Sequence, residues 1–183
     1  MEKITLCSLL KKNKNDLKSK IIIFPTDTVY GVGCLYQDND GINKIYEMKK
    51  RDYGKPLAVL CSDIDQVDKI AIINNNARKY TKYWPGALTI ICNKIDSNKT
   101  IGVRIPNSDI ARSVLSCFGP MHVTSVNYSG ERELNDIDEI YNTFKDYADY
   151  LVIDQQELSK TPSTVISCID DEIKVLREGS IKV

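Results

Sequence analysis

The chain has 183 residues, 42% of them hydrophobic and 27% charged, with 25 Lys+Arg against 25 Asp+Glu. That length suits a single domain, at about 100–200 residues per domain, with enough apolar residues for an unstapled core. Zero formal charge excludes a global basic field for nucleic acid, and no apolar run reaches the ~20 residues that span a bilayer.

The first twenty residues, MEKITLCSLLKKNKNDLKSK, place their lysines after a short apolar run, the reverse of a secretory signal. A cytoplasmic protein with no membrane association is expected. Residues 11–20 carry five lysines against one acid, and residues 131–157 carry nine acids against two bases. Such runs read as solvated faces. Helical periodicity covers roughly 5–18, and "KIIIFP" follows as the first strand. Behind it, "TDTVYGVG" (26–33) crowds two threonines and an aspartate before a Gly-x-Gly that reads as a turn. The continuation Cys34-Leu35-Tyr36 lacks the third glycine of a dinucleotide fingerprint, and no G-x-x-x-x-G-K-[ST] occurs anywhere.

A helix over about 40–50 leads into "MKKRDYGKPLAVL", with Lys49, Lys50, Arg51 and Lys55 grouped before a strand. Cations there either complement the helix dipole or clamp a polyphosphate. A long helix is expected over 64–82. The strands "ALTIICN" and "IGVRIP" come next, the second carrying Arg104 among apolar neighbours. That arginine either points to solvent or grips a carboxylate with two parallel hydrogen bonds. A helix over 108–117 precedes "MHVTSV", which runs into Ser125, Asn127, Ser129 and Gly130.

In 136–147, Ile137, Ile140, Tyr141 and Phe144 share a helical face, and Asn135 or Asp136 can cap its start. "YLVID", "STVISCI" and "IKVLRE" complete the strands, the last two joined by a short "DDE" turn that implies a hairpin. Eight strands and about five helices in irregular order predict an α/β domain with a mixed sheet. The six cysteines lack the spacing of a zinc or redox pair and are expected as reduced thiols, mostly in apolar surroundings. His122 is the single histidine, which excludes a histidine-rich metal site.

Small polar residues and isolated arginines thus collect at strand ends, where α/β sheets build ligand sites. Taken in order, "FPTDTVYGVG", "KKR…KPLAVL", "WPGALT", "GVRIP", "TSVNYSG", "PSTVI" and "LREG" resemble the YrdC family, the threonylcarbamoyl-AMP synthases. The resemblance runs from about residue 20 to the C-terminus.

It implies a twisted mixed parallel/antiparallel sheet flanked by helices and enclosing a basic cavity, as one domain over 1–183, similar to the short bacterial form. It implies synthesis of L-threonylcarbamoyl-adenylate from L-threonine, bicarbonate and ATP with release of pyrophosphate. A separate transferase then delivers the group to tRNAs reading ANN codons. Matched by motif, Thr26, Thr28, Tyr30, Arg104 and Ser163 would face threonine. Lys49, Arg51, Lys55, Thr100, Ser125, Asn127 and Arg177 would face ATP, with Lys49 and Arg51 central to catalysis. Mg²⁺ is expected on the phosphates, with no protein ligands assigned. Two positions depart from the pattern: Asp52 replaces a frequent proline, and Leu60 replaces a frequent histidine. The alternatives are an RNA-binding module using the same cavity, a related branch without synthase activity, and a carbamoyl-adenylate step of hydrogenase maturation.

Overall fold

The first interior strand, β2 (Ile22–Pro25), is buried along its whole length, because neighbours pair with it on both sides. Strand β3 (Tyr30–Leu35) returns antiparallel after a four-residue link. β9 (Tyr150–Val152) lies parallel to β2 and also to β1 (Glu2–Ile4). Beyond β3 the sheet continues through β8 (Met121–Ser125), β4 (Ala58–Leu60), β7 (Thr100–Arg104) and β6 (Leu88–Lys94). β10 (Thr164–Ser167) and β11 (Lys174–Arg177) complete the path, and β5 (Ala71–Ile72) pairs with β6 off it. Parallel pairs (β4–β7, β6–β10) occur among antiparallel ones (β3–β8, β4–β8, β6–β7), so the sheet is mixed as expected. The computed structural model describes residues 1–169 and 173–183. β10 and β11 form the predicted antiparallel pair, and the "DDE" turn lies outside the described residues.

Helices cover both faces. α1 (Leu6–Leu10) and α5 (Asp109–Phe118) pack on one side, where Val114, Leu115 and Phe118 meet Phe24 and Met121. Ser108 caps α5, accepting the Ala111 amide at 3.0 Å. α2 (Asn39–Lys49) and α6 (Ile137–Phe144) cover the opposite side, burying Ile45, Met48, Ile140 and Phe144. Of the two cap candidates for α6, Asp136 accepts the Asp138 and Glu139 amides. Among the described residues, no helix is long and apolar enough to cross a membrane.

Three expectations are corrected. The helix over 5–18 is α1 followed by a separate 3₁₀ turn at Lys14–Leu17. The helix over 64–82 is broken into α3 (Ile64–Asp68), β5 and α4 (Asn75–Arg78), because Ala71 and Ile72 pair with Asn93 and Lys94 of β6. Gly31-Val32-Gly33 is no turn: it lies inside β3, paired on both sides. Both glycines permit close packing instead. A Cβ on Gly33 would sit 2.8 Å from the His122 carbonyl oxygen, and one on Gly31 would sit 2.7 Å from Val123 Cγ1.

Candidate functional site

Side chains alternate along a strand, and those in register on neighbouring strands share a face. Gly31 and Ser125 are paired, as are Ala58 and Val123, and Leu60 and Arg104. Together with Gly102, Thr89 and Ile91 they bound a cavity of about 440 Å³. Its size is in the range of small-molecule sites.

One wall is the link between β2 and β3. Thr26 and Thr28 are buried there, with their hydroxyls 3.0 Å apart. Thr26 Oγ1 donates to the Val29 carbonyl at 2.7 Å and accepts the Thr28 amide at 3.1 Å, which holds the link rigid. Arg104 projects against this wall from β7. Its Nη1 donates to Thr28 Oγ1 at 3.0 Å, its Nη2 to Asp27 Oδ1 at 2.5 Å and its Nε to the Gly86 carbonyl at 2.9 Å. Burial lowers the Arg104 pKa, the Asp27 carboxylate opposes that shift, and the neighbouring Arg177 adds to it.

Arg177 enters from β11. It donates through Nε to the Ser163 carbonyl at 2.9 Å and through Nη2 to Ser163 Oγ at 3.1 Å. Ser163 Oγ in turn lies 2.8 Å from Thr89 Oγ1. Burial lowers the Arg177 pKa; Glu133 raises it and Arg51 lowers it. Arg51 arrives on the loop after α2, anchored by Nε to the Lys55 carbonyl (3.0 Å) and by Nη2 to the Pro56 carbonyl (3.2 Å). Arg51 acts electrostatically on Arg177, and Arg177 in turn acts on Arg104. Such a cationic cluster in a cleft is what a polyanionic ligand requires.

Thr26, Thr28, Arg104 and Ser163 of the expected threonine side therefore line the cavity, as do Arg51, Thr100, Ser125 and Arg177 of the expected ATP side. Four expected residues do not. Tyr30 is buried in the core under α2 and α6, where burial raises its pKa. The Lys55 side chain lies on the exposed loop, and its carbonyl receives Arg51 and the Tyr46 hydroxyl.

Lys49 is 1% exposed, and its ammonium donates to the Ser125 carbonyl, to the Asn127 carbonyl at 2.9 Å and to Asn127 Oδ1 at 2.7 Å. Burial first, and Arg51 second, push Lys49 down to about 7. Asn127 also accepts the Ser125 hydroxyl at 2.8 Å and donates Nδ2 to the Glu131 carbonyl at 2.7 Å, so it holds the loop behind Ser125.

Other lining residues were not singled out by the sequence reading. Thr89 interrupts an apolar strand, and its polarity was the available signal. Lys94, Lys99 and His122 line the cavity as well. The His122 ring stacks on Tyr36 at 5.2 Å, and burial pushes it down to about 4, so it is neutral at pH 7. Among the described residues there is no cluster of three or more His, Cys, Asp or Glu suited to a metal.

Comparison with known proteins adds to this geometry. The Sua5/YciO/YrdC family model, described as telomere recombination, matches residues 17–179. A Methanocaldococcus jannaschii protein, provisionally named threonylcarbamoyl-AMP synthase, is 36% identical over 178 residues, covering 93% of this chain and 84% of that protein. The Bacillus subtilis threonylcarbamoyl-AMP synthase is 30% identical over 176 residues, covering 90% of this chain and 51% of that enzyme. Among solved structures, Escherichia coli YciO superposes with a TM-score of 0.84 at 27% identity, covering 94% of this chain and 89% of YciO. Sua5 of P. abyssi, complexed with L-threonine, superposes with a TM-score of 0.86 at 26% identity. That match covers 97% of this chain and 56% of Sua5, so the chain spans about half the length of Sua5 and of the B. subtilis enzyme.

Proposed function

The chain belongs to the Sua5/YciO/YrdC family, and on that premise we propose that it makes L-threonylcarbamoyl-adenylate from L-threonine, bicarbonate and ATP. The observation that carries this reading is the convergence of Arg51, Arg104 and Arg177 on one cavity that is also lined by Lys94, Lys99, His122 and several hydroxyls. The threonine amine and bicarbonate combine to a carbamate with loss of water. A carbamate oxygen then attacks the α-phosphorus, and pyrophosphate leaves with the bond electrons. No protein nucleophile is needed, so catalysis consists of alignment and of neutralising the leaving charge.

The roles follow from position. Arg104 takes the threonine carboxylate, and Thr26, Thr28 and Ser163 bound the same end. Arg51 and Arg177 take the phosphates, with Thr100 and Ser125 beside them. Lys49 acts through Ser125 and Asn127, because its three donors already face protein oxygens. It is a positioning residue in this scheme. Tyr30 supports the threonine wall from the core, and Lys55 contributes through its backbone carbonyl, which anchors Arg51. Mg²⁺ would come with the triphosphate as part of the substrate, held by phosphate oxygens, since the cavity is rich in cations and hydroxyls and poor in carboxylates. The metal supplies further neutralisation of the phosphates.

The product is an activated mixed anhydride. A downstream transferase passes its threonylcarbamoyl group to adenosine in tRNAs that read ANN codons, in the cytoplasm. The test is pyrophosphate release by purified protein, with mass analysis of the adenylate. Release requires both threonine and bicarbonate; equal ATP hydrolysis without threonine sinks the reading and leaves a family member without synthase chemistry.

A further inference from the structure

Arg104 meets the cavity already partly committed. The Arg104 side chain is 6% exposed and that of Asp27 15%, so their ion pair is largely withdrawn from water. Salt screens such a pair weakly, and its direct Coulombic attraction exceeds that of a surface bridge. A guanidinium has five N–H donors. Three of them face Gly86, Thr28 and Asp27, which leaves two, one on each terminal nitrogen. Arg104 lines the cavity and Asp27 does not. The aspartate therefore holds the arginine from behind, and a ligand meets the same guanidinium from the front.

Two consequences of that arrangement oppose each other. Asp27 orients the arginine, which favours binding of a carboxylate. It also places a negative charge on the guanidinium that the ligand's own negative charge must share. Orientation does not depend on Asp27 alone. The Nε bond to Gly86 and the Nη1 bond to Thr28 already define the guanidinium plane, and the Thr26–Thr28 link is itself rigid. The backbone at Asp27 and Thr28 is further tied by the Ser159 amide to the Asp27 carbonyl (3.1 Å) and the Lys160 amide to the Thr28 carbonyl (2.8 Å). Charge sharing has no such redundancy, because Asp27 is the carboxylate in ion-pair contact with Arg104.

We propose that Asp27 is a resident counter-ion: it stabilises Arg104 while the cavity is empty and lowers affinity for the substrate carboxylate that shares the guanidinium. This rests on the reading that Arg104 receives the threonine carboxylate. The aspartate thus trades amino-acid affinity for stability of the unliganded protein. An arginine left buried without a partner costs far more than one that is paired.

Asp27→Asn isolates the charge, because the amide Oδ1 still accepts from Nη2 in the same place. Calorimetric titration of L-threonine into wild type and variant, with thermal melts of both, reads the effect. The expected result is a threonine Kd about tenfold lower in Asp27→Asn, equivalent to about 1.4 kcal/mol. A lower Tm without ligand and a larger Tm rise on adding threonine accompany it, while ATP affinity stays within twofold. Asp27→Ser carries the same expectation should the asparagine variant not fold. A threonine Kd that is unchanged or raised in these variants overturns the inference, provided that Arg104→Ala weakens threonine binding. If Arg104→Ala leaves threonine binding intact, the placement of the carboxylate on Arg104 falls, and the inference falls with it.

Discussion

Lys49 Nζ reaches both oxygens of Asn127, the backbone carbonyl at 2.9 Å and Oδ1 at 2.7 Å, from the last turn of α2. A lysine and an asparagine 78 positions apart thereby lock the end of a helix to the loop after β8. The arrangement separates two cations that lie two residues apart in sequence. Lys49 faces inward to protein oxygens, while Arg51, two residues later, lines the cavity.

Replacing Lys49 by Met is expected to act on stability. It takes the lysine donor from the Ser125 and Asn127 carbonyls, while Asn127 Oδ1 keeps the Ser125 hydroxyl, and a buried unsatisfied group costs about 1–3 kcal/mol. The urea midpoint should fall by the equivalent of about 2 kcal/mol. Arg51→Met should shift the midpoint little, because its anchors lie on an exposed loop, yet should raise the KM for ATP at least tenfold. A Lys49→Met protein of unchanged stability would contradict the buried network.

The pH dependence of stability follows from the same lysine and from three thiols. Lys49 titrates at about 7 in the folded protein, against 10.5 ordinarily. Between those values the unfolded chain holds more protons, so this contribution to stability rises with pH. Cys34, Cys61 and Cys92 are pushed by burial from 9.0 up to about 12. Their contribution is fully present below pH 9 and is lost between 9 and 12, where only the unfolded thiols have ionised. Urea denaturation across this range should show stability climbing from pH 7 towards 9 and declining beyond it. In Lys49→Met the climb should vanish and the alkaline decline should remain.

Thiol labelling tests cysteine burial directly. Cys7 and Cys117 are exposed, while Cys34, Cys61, Cys92 and Cys168 are buried. A disulfide reagent at pH 8 should modify the first two rapidly in the native protein. The other four should react only after denaturation, since a thiol must be both ionised and accessible to attack.

The two glycines of β3 should differ in tolerance. An alanine at Gly33 would press on the His122 carbonyl at 2.8 Å, so the β8 backbone itself would have to move. At Gly31 the nearest atom is a side-chain methyl of Val123 rather than backbone. Gly33→Ala should cost about 2 kcal/mol in a denaturant titration, within the usual range for overpacking, and Gly31→Ala measurably less. Equal costs would mean that β8 yields as easily as a side chain.

The strands most legible in the sequence were those with neighbours on both sides. Ile22–Ile23–Phe24 and Ile90–Ile91–Cys92 are apolar runs too short for helices, and each lies in the sheet interior. Helices α5 and α6 were equally plain, because their buried residues recur at helical spacing and Ser108 and Asp136 cap them. The stretch 64–82 misled because its local periodicity is helical. Pairing of Ala71 and Ile72 with the C-terminal end of β6 outweighs the propensity, and Asn74 then starts a new helix by accepting the Ala77 amide at 2.8 Å. β3 was hidden for a different reason: its glycines look like a turn until β8 is seen packed against them.

At the site, sequence alone determined which residue types were available and which reaction family they resemble. Threonines 26 and 28, the arginines at 51, 104 and 177, and the serines at 125 and 163 were all named from motifs, and all of them line the cavity. Direction was decided only by the tertiary structure. Whether a side chain meets ligand, solvent or protein depends on which strands become neighbours, and paired residues here are as far apart in sequence as Glu2 and Tyr150. Lys49 turns inward because the carbonyls of Ser125 and Asn127 converge on its ammonium, which a buried cation requires. Asp27, ambiguous in its own segment, acquires a role because β7 delivers Arg104 to it from 77 positions away.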